Sequence, residues 1–220
     1  MDCIVRLFTR KSGRIAAFFK KGLLAKKGNT SAQAPALANV GIIDSTFRLS
    51  RLVALEILPT TLSLMATLRA FGYAAYLAEL VEKFLPEGDP SPEIFLNVEE
   101  TLSGIMQHGA KAFLLRSFEL RLLDYSGYLP ELPGLDDEDK IVAFDPVGCK
   151  LLTTASDESI PFSASAVRIA RTMLIAKIGT VNYDDSVELL MIGRIFQSRL
   201  RLMGFGPLKS VAFLRQIAEL

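Results

Sequence analysis

Two short runs near the N-terminus, Cys3 to Thr9 and Arg14 to Lys20, alternate apolar and polar positions imperfectly and are rich in Val, Ile and Phe. Lys11-Ser12-Gly13 lies between them. A period of two around a glycine-containing turn predicts a β-hairpin. In the first strand Val5 and Leu7 face one way, and Ile4, Arg6, Phe8 and Arg10 the other. In the second, Ile15, Ala17 and Phe19 oppose Arg14, Phe18 and Lys20. Each strand then has a mainly apolar face and a face that mixes basic and aromatic side chains. Gly22 to Ala34, rich in Gly, Lys, Ala and Ser, predicts a basic loop. Ala38 to Thr46 and Phe47 to Leu58 suit two more strands, and Pro59 closes the region.

After Pro59 the apolar period becomes helical. Tyr73, Tyr76, Leu77, Leu80, Val81 and Phe84 recur at spacings of three and four, which predicts an amphipathic helix. Pro86 to Pro92 reads as a loop, and Pro92 or Glu93 starts the next helix, striped by Phe95, Val98, Leu102 and Ile105. Lys111 to Tyr125 is apolar nearly all round, so it should be a buried helix, ending at Gly127. Gly134 to Pro161 is acidic, with short apolar pieces that suit one small hairpin, and predicts a loop-rich insert. Ser163 or Ser165 can cap a helix reaching about Ile178, and Asp184 or Asp185 another reaching about Met203. Gly204 and Gly206 end it, and Pro207 opens a last short helix. The class is α+β: a β domain over about residues 1–59, then a mainly helical domain over 60–220.

Composition narrows the function. Half of the 220 residues are hydrophobic, enough for a sizeable core. The longest apolar stretch, Leu52 to Leu68, is broken by Glu56 and Pro59, short of the about 20 residues that span a bilayer. No membrane association is expected. Cys3, Cys149 and His108 are too few for a closed zinc site, which takes four Cys or His ligands. No catalytic set stands out: His108 reads as a surface or capping residue, the acidic runs as solvated faces, and no phosphate-binding glycine loop occurs.

A net charge of +1 conceals an uneven distribution. Arg6, Arg10, Lys11, Arg14, Lys20, Lys21, Lys26 and Lys27 crowd the first 27 residues against Asp2 alone, while residues 131–158 are strongly acidic. Arg194, Arg199, Arg201, Lys209 and Arg215 make the C-terminal end basic again. Basic residues interleaved with Phe8 and Phe18 suit a surface that holds phosphates and stacks bases. The same pattern also suits a solvated strand face, and Arg201 equally suits the negative end of a helix.

Four segments, in order, resemble the RecO family of bacterial recombination mediators. SFELRLLDYSGYLPEL, Ser117 to Leu132, is similar to the centre of that family. IVRLFTRKSGRIAAFFKKG, Ile4 to Gly22, resembles its early basic hairpin, and YAAYLAELVEKFLPEGDPSPEIF, Tyr73 to Phe95, its first long helix and following loop. PLKSVAFLRQI, Pro207 to Ile217, resembles its C-terminal segment. The resemblance implies an oligonucleotide-binding (OB)-like barrel for the β domain. Family members usually begin about one strand earlier, so the expected barrel either lacks its first strand or has its true start upstream of Met1. Many members carry two Cys-x-x-Cys pairs forming a zinc knuckle in the insert; this chain has only Cys149 there, so zinc and other cofactors are not carried over.

By the same resemblance the protein is a cytoplasmic, nucleoid-associated DNA repair mediator without enzyme activity. It would bind single- and double-stranded DNA, anneal complementary strands and help load the recombinase onto strands coated by the single-stranded-DNA-binding protein (SSB). Partners implied are RecR and the SSB C-terminal tail. Nucleic-acid-binding residues are expected at Arg6, Phe8, Arg10, Lys11, Arg14, Phe18, Lys20, Lys21, Lys26, Lys27, Arg199 and Lys209. The alternative is a helical protein-interaction adaptor that does not bind DNA.

Overall fold

The computed structural model describes residues 3–20, 37–43, 49–58, 61–64, 66–134 and 139–218. The chain divides into two compact units, Met1–Phe95 with Leu208–Leu220, and Leu96–Pro207. The α+β class expected from the sequence is observed.

The first unit opens with β1 (Cys3–Thr9) and β2 (Gly13–Phe19), the expected hairpin. The next strands are β3 (Ala38–Ile43) and β4 (Ser50–Ile57), each within one of the two runs suggested by the sequence, whose residues 44–48 lie outside the described residues. β4 pairs antiparallel with β3 and parallel with β2, giving the order β1-β2-β4-β3. Among the described residues no pairing joins β1 to β3, so the strands form an open sheet and not a closed barrel. Ala17, Phe19 and Leu52 are buried on its inner face, with Val5, Leu7, Val40, Ile42 and Leu55 packed around them. The alternation therefore assigns the hairpin's inner face correctly. A register shift between Gly41 and Ile42 leaves Val53 as a bulge, and both Val53 and Ala54 are exposed.

Helix α1 is a single turn (Thr61–Leu64), followed by α2 (Leu68–Phe84), whose first amides are capped by Thr67. Its apolar stripe buries Tyr73, Tyr76, Leu77, Leu80 and Val81. The C-terminal helix returns to this unit and packs on α2, where Gly72 lets Leu214 and Phe213 approach closely.

Glu79 of α2 fixes the start of that C-terminal helix. Its carboxylate accepts hydrogen bonds from the amides of Lys209 (3.0 Å) and Ser210 (2.9 Å) and from the Ser210 hydroxyl (2.5 Å). It thus serves as a cap supplied from 130 residues away in sequence. Burial alone would raise its pKa, but the hydrogen bonds from Ser210 and Lys209, with Lys83 nearby, hold it below the ordinary value of 4.5. A carboxylate with a depressed folded pKa stabilises the fold above its unfolded pKa and loses that contribution as pH falls through the folded value. Glu79→Gln should therefore be less stable than the parent at neutral pH. The gap should shrink as pH drops below 4.5, as urea unfolding at two pH values would show.

The second unit holds α3 (Pro92–His108, its first turn in the first unit) and the buried α4 (Ala112–Tyr125), against which α5 (Ala164–Ile175) and α6 (Val187–Leu202) pack. α4 buries nine residues, among them Phe113, Phe118 and Leu122. Gly127 (φ 71°) ends it: the Tyr128 amide donates to Leu123 O (2.8 Å) and the Gly127 amide to Asp124 O (3.0 Å), a Schellman closure. Ser163 caps α5. Ser186, and not Asp184 or Asp185, caps α6, placing Leu189, Ile192, Ile195 and Phe196 inward. The last helix is α7 (Lys209–Ala218), in the first unit.

The insert is more ordered than one hairpin. Strands β5 (Ala143–Asp145), β6 (Lys150–Leu152) and β7 (Ile160–Pro161) form a sheet of order β6-β5-β7, anchored by buried Ala143, Phe144 and Phe162. Its turn is held by hydrogen bonds: Asp145 Oδ1 accepts from the Val147 amide (2.9 Å), and the Cys149 thiol donates to Tyr128 O (3.4 Å). Burial pushes the Cys149 pKa up, against a counter-pull from Arg199. Among the described residues no group of three or more His, Cys, Asp or Glu is placed to hold a metal. The residues do not fit a zinc knuckle, and elemental analysis of the purified protein should find no stoichiometric zinc.

Candidate nucleic-acid interface

Backbone register fixes which side chains share the outer face of the sheet. Ile4 stands opposite Phe18, Arg6 opposite Ala16, and Phe8 opposite Arg14. Partners directly across a ladder lie on the same side. The basic and aromatic face expected from the alternation therefore exists, but its two ends differ.

The end near the hairpin turn is engaged within the unit. Arg14 donates to the carbonyls of Leu85 (2.6 Å) and Glu82, satisfying the open C-terminus of α2. Arg6 forms an ion pair with the Glu82 carboxylate, with 74% of the Arg6 side chain exposed, so the pair contributes little stability. The Phe8 ring lies 5.5 Å from that of Phe95, and the Arg10 guanidinium lies 5.4 Å from the same ring. The turn itself is fastened by the Gly88 amide donating to Arg14 O (2.7 Å). Lys11 is exposed on the turn.

Phe8 is therefore outside the sheet core and has a ring contact with Phe95 within the unit. Phe8→Ala should cost stability through the lost Phe95 contact, about 1–3 kcal/mol for a half-buried ring in an aromatic pair. A thermal melt of this variant checks it, and an unchanged melting temperature would contradict the packing described.

At the other end, among the described residues, the face is open. The register places Ile4, Phe18, Arg51 and Ile43 in one row across all four strands. Ile4 is 64% and Ile43 58% exposed, Arg51 is exposed and Phe18 half-buried. Exposed Lys20 follows Phe18 by two residues, on the same side of β2 by alternation. Glu56, an exposed acid of β4, stands five residues beyond Arg51. Arg51 was not among the residues singled out from sequence. Its signal is visible only once β4 is known to pair with β2, since its alternation alone marks it merely as an outward-facing residue.

The remaining sequence-derived residues are dispersed. Lys21, Lys26 and Lys27 lie outside the described residues. Lys209 is exposed in the first turn of α7, where its backbone amide is bound by Glu79. Arg199 belongs to the second unit: it donates to Pro146 O (2.9 Å) and its guanidinium lies 6.0 Å from the Tyr128 ring centroid, tying α6 to the insert. His108, the last residue of α3, is exposed with Nε2 3.1 Å from Gly179 O. No helix among the described residues is long and apolar enough to cross a membrane.

Comparison with known proteins adds an independent line. The family model described as "Recombination protein O C terminal" (RecO_C) matches residues 65–192. A DNA repair protein RecO of Syntrophobacter fumaroxidans is 32% identical over 135 residues, an alignment spanning 60% of this chain and 52% of that protein. The DNA repair protein RecO of Pelotomaculum thermopropionicum is 28% identical over 208 residues, 92% of this chain and 79% of the relative. That of Pelobacter propionicus is 29% identical over 232 residues, covering 99% and 91%. The similarity thus extends beyond the helical region into the sheet that carries the open row.

Proposed function

The chain belongs to the RecO family of recombination proteins, and from that premise we propose that it serves DNA repair and recombination as a non-enzymatic mediator that binds single- and double-stranded DNA. Its fuller role would be to promote annealing and help load the recombinase onto SSB-coated strands, with RecR and the SSB tail as partners. Such work places it in the cytoplasm on the nucleoid. The observation that supports DNA binding most directly is the open, cationic end of the sheet's outer face, where Phe18 and Arg51 are neighbours and Lys20 follows. Arg6, Arg10, Lys11 and Arg14 contribute charge around the Phe8 ring at the engaged end, and Lys21, Lys26 and Lys27 add to the same basic segment of the chain. Arg199 and Lys209 remain candidate contacts.

The engagement of Arg6, Arg14 and Phe8 within the unit favours the second reading, an adaptor that binds proteins but not DNA. One titration separates the two. Binding to a single-stranded oligonucleotide should weaken with salt, with a log–log slope of about −0.7 per phosphate contacted. Changing Lys20, Lys21, Lys26 and Lys27 together to Ala should weaken binding and flatten that slope. No salt-dependent binding by the parent protein would leave the adaptor.

A further inference from the structure

We infer that the open row of the sheet selects unpaired strands, so that single-strand and duplex binding by this protein rest on different side chains. The inference rests on the DNA-binding reading above and assigns its substrate class to one part of the face. The row Ile4, Phe18, Arg51, Ile43 crosses four strands. Three inter-strand gaps of about 4.8 Å make it roughly 14 Å long. Successive nucleotides of a stacked strand rise about 3.4 Å, so its length matches about four stacked nucleotides, and fewer once the bases are unstacked.

Its composition suits bases more than phosphates. A ring at Phe18 stands between exposed Ile4 and the guanidinium of Arg51, with exposed Ile43 beyond Arg51 and the ammonium of Lys20 two residues further along the chain from Phe18. A single strand can lay unstacked bases on such a surface while its phosphates meet the two cations. A duplex keeps its base faces inside and offers only groove edges and phosphates. The row thus has little to hold a duplex by, beyond charge. The engaged end of the same face differs: Phe8 packs against Phe95, while Arg6, paired with Glu82, Arg10, beside the Phe95 ring, and Lys11 bring exposed cations. Duplex binding then falls to charges such as these, which read phosphates irrespective of strandedness.

The test uses the full chain with a labelled 20-nucleotide oligothymidine and a 20-base-pair duplex of mixed sequence. Phe18→Ala should weaken binding to the single strand about tenfold or more and change duplex binding by less than about twofold. Phe18→Trp should restore single-strand affinity. Should Phe18→Ala melt, Phe18→Leu keeps the bulk without a ring face and is expected to lose single-strand affinity selectively. Equal losses on both probes, or unchanged single-strand binding, would overturn the inference while leaving the DNA-binding reading intact. A parent protein that binds neither probe would overturn both.

Discussion

Arg121→Ala should lower stability by about 3–5 kcal/mol, the range for removing one partner from a buried charged cluster. For a chain of this size that is a fall in Tm of roughly 6–20 °C. Arg121 lies in α4, and its side chain is only 15% exposed. Its Nε donates to Met173 O (3.3 Å) and one Nη to Ala176 O, closing the C-terminus of α5. The other Nη donates to Asn97 Oδ1 (2.9 Å) and lies 3.9 Å from a Glu100 oxygen, itself the acceptor for the Ile178 amide (3.2 Å). Alanine would leave two helix-end carbonyls and a nearly buried carboxylate without their cation. Lysine keeps the charge but cannot fork to several acceptors, so Arg121→Lys should recover only part of the loss. A Tm within about 2 °C of the parent for Arg121→Ala would contradict this role.

A second large effect is expected at Gly13. It opens β2 at φ 63°, the left-handed region, where a Cβ costs about 1–2 kcal/mol. A Cβ there would also overlap the carbonyl of Asp89, because the hairpin turn lies directly against the loop after α2. Moving that loop would strain the Gly88–Arg14 hydrogen bond and, with it, the arginine that closes α2. Gly13→Ala should cost about 2–4 kcal/mol in total, combining the backbone strain with an overpacking term. Chemical denaturation measures it directly. A variant as stable as the parent would mean that the turn is not fastened to the loop.

These two positions show what the sequence could and could not convey. The motif that carries the family resemblance, FELRLL before Gly127, is scaffolding. Its Glu119 is buried against Arg116 (2.6 Å), its Arg121 ties three elements together, and its glycine closes a helix. The helices and the hairpin faces were legible because periods of 3.6 and 2 are local properties. The cap of α6 was not, because Asp184, Asp185 and Ser186 are all competent caps and packing chooses among them.

The site was half legible for a related reason. Alternation put Arg6, Phe8, Arg14 and Phe18 on one face, as observed. It could not show that Glu82 and Phe95 cover one end, nor that the parallel β2–β4 pairing sets Arg51 beside Phe18. Both facts depend on residues at least 30 positions away. Long-range pairing leaves no mark in a local pattern. For Arg199 the basic C-terminal cluster was visible, but its partners, Pro146 O and the Tyr128 ring, were not.

The central claim is that the open end of the sheet's outer face holds single-stranded DNA. Photocrosslinking with a single-stranded oligonucleotide carrying halogenated uracil, followed by peptide mapping, tests it most directly. Adducts should fall on the β2 peptide containing Phe18 and on the β4 peptide containing Arg51, and competitor oligothymidine should suppress them. Adducts confined to the α6 segment around Arg199, or to the start of α7 at Lys209, would contradict the claim and move the site off the sheet.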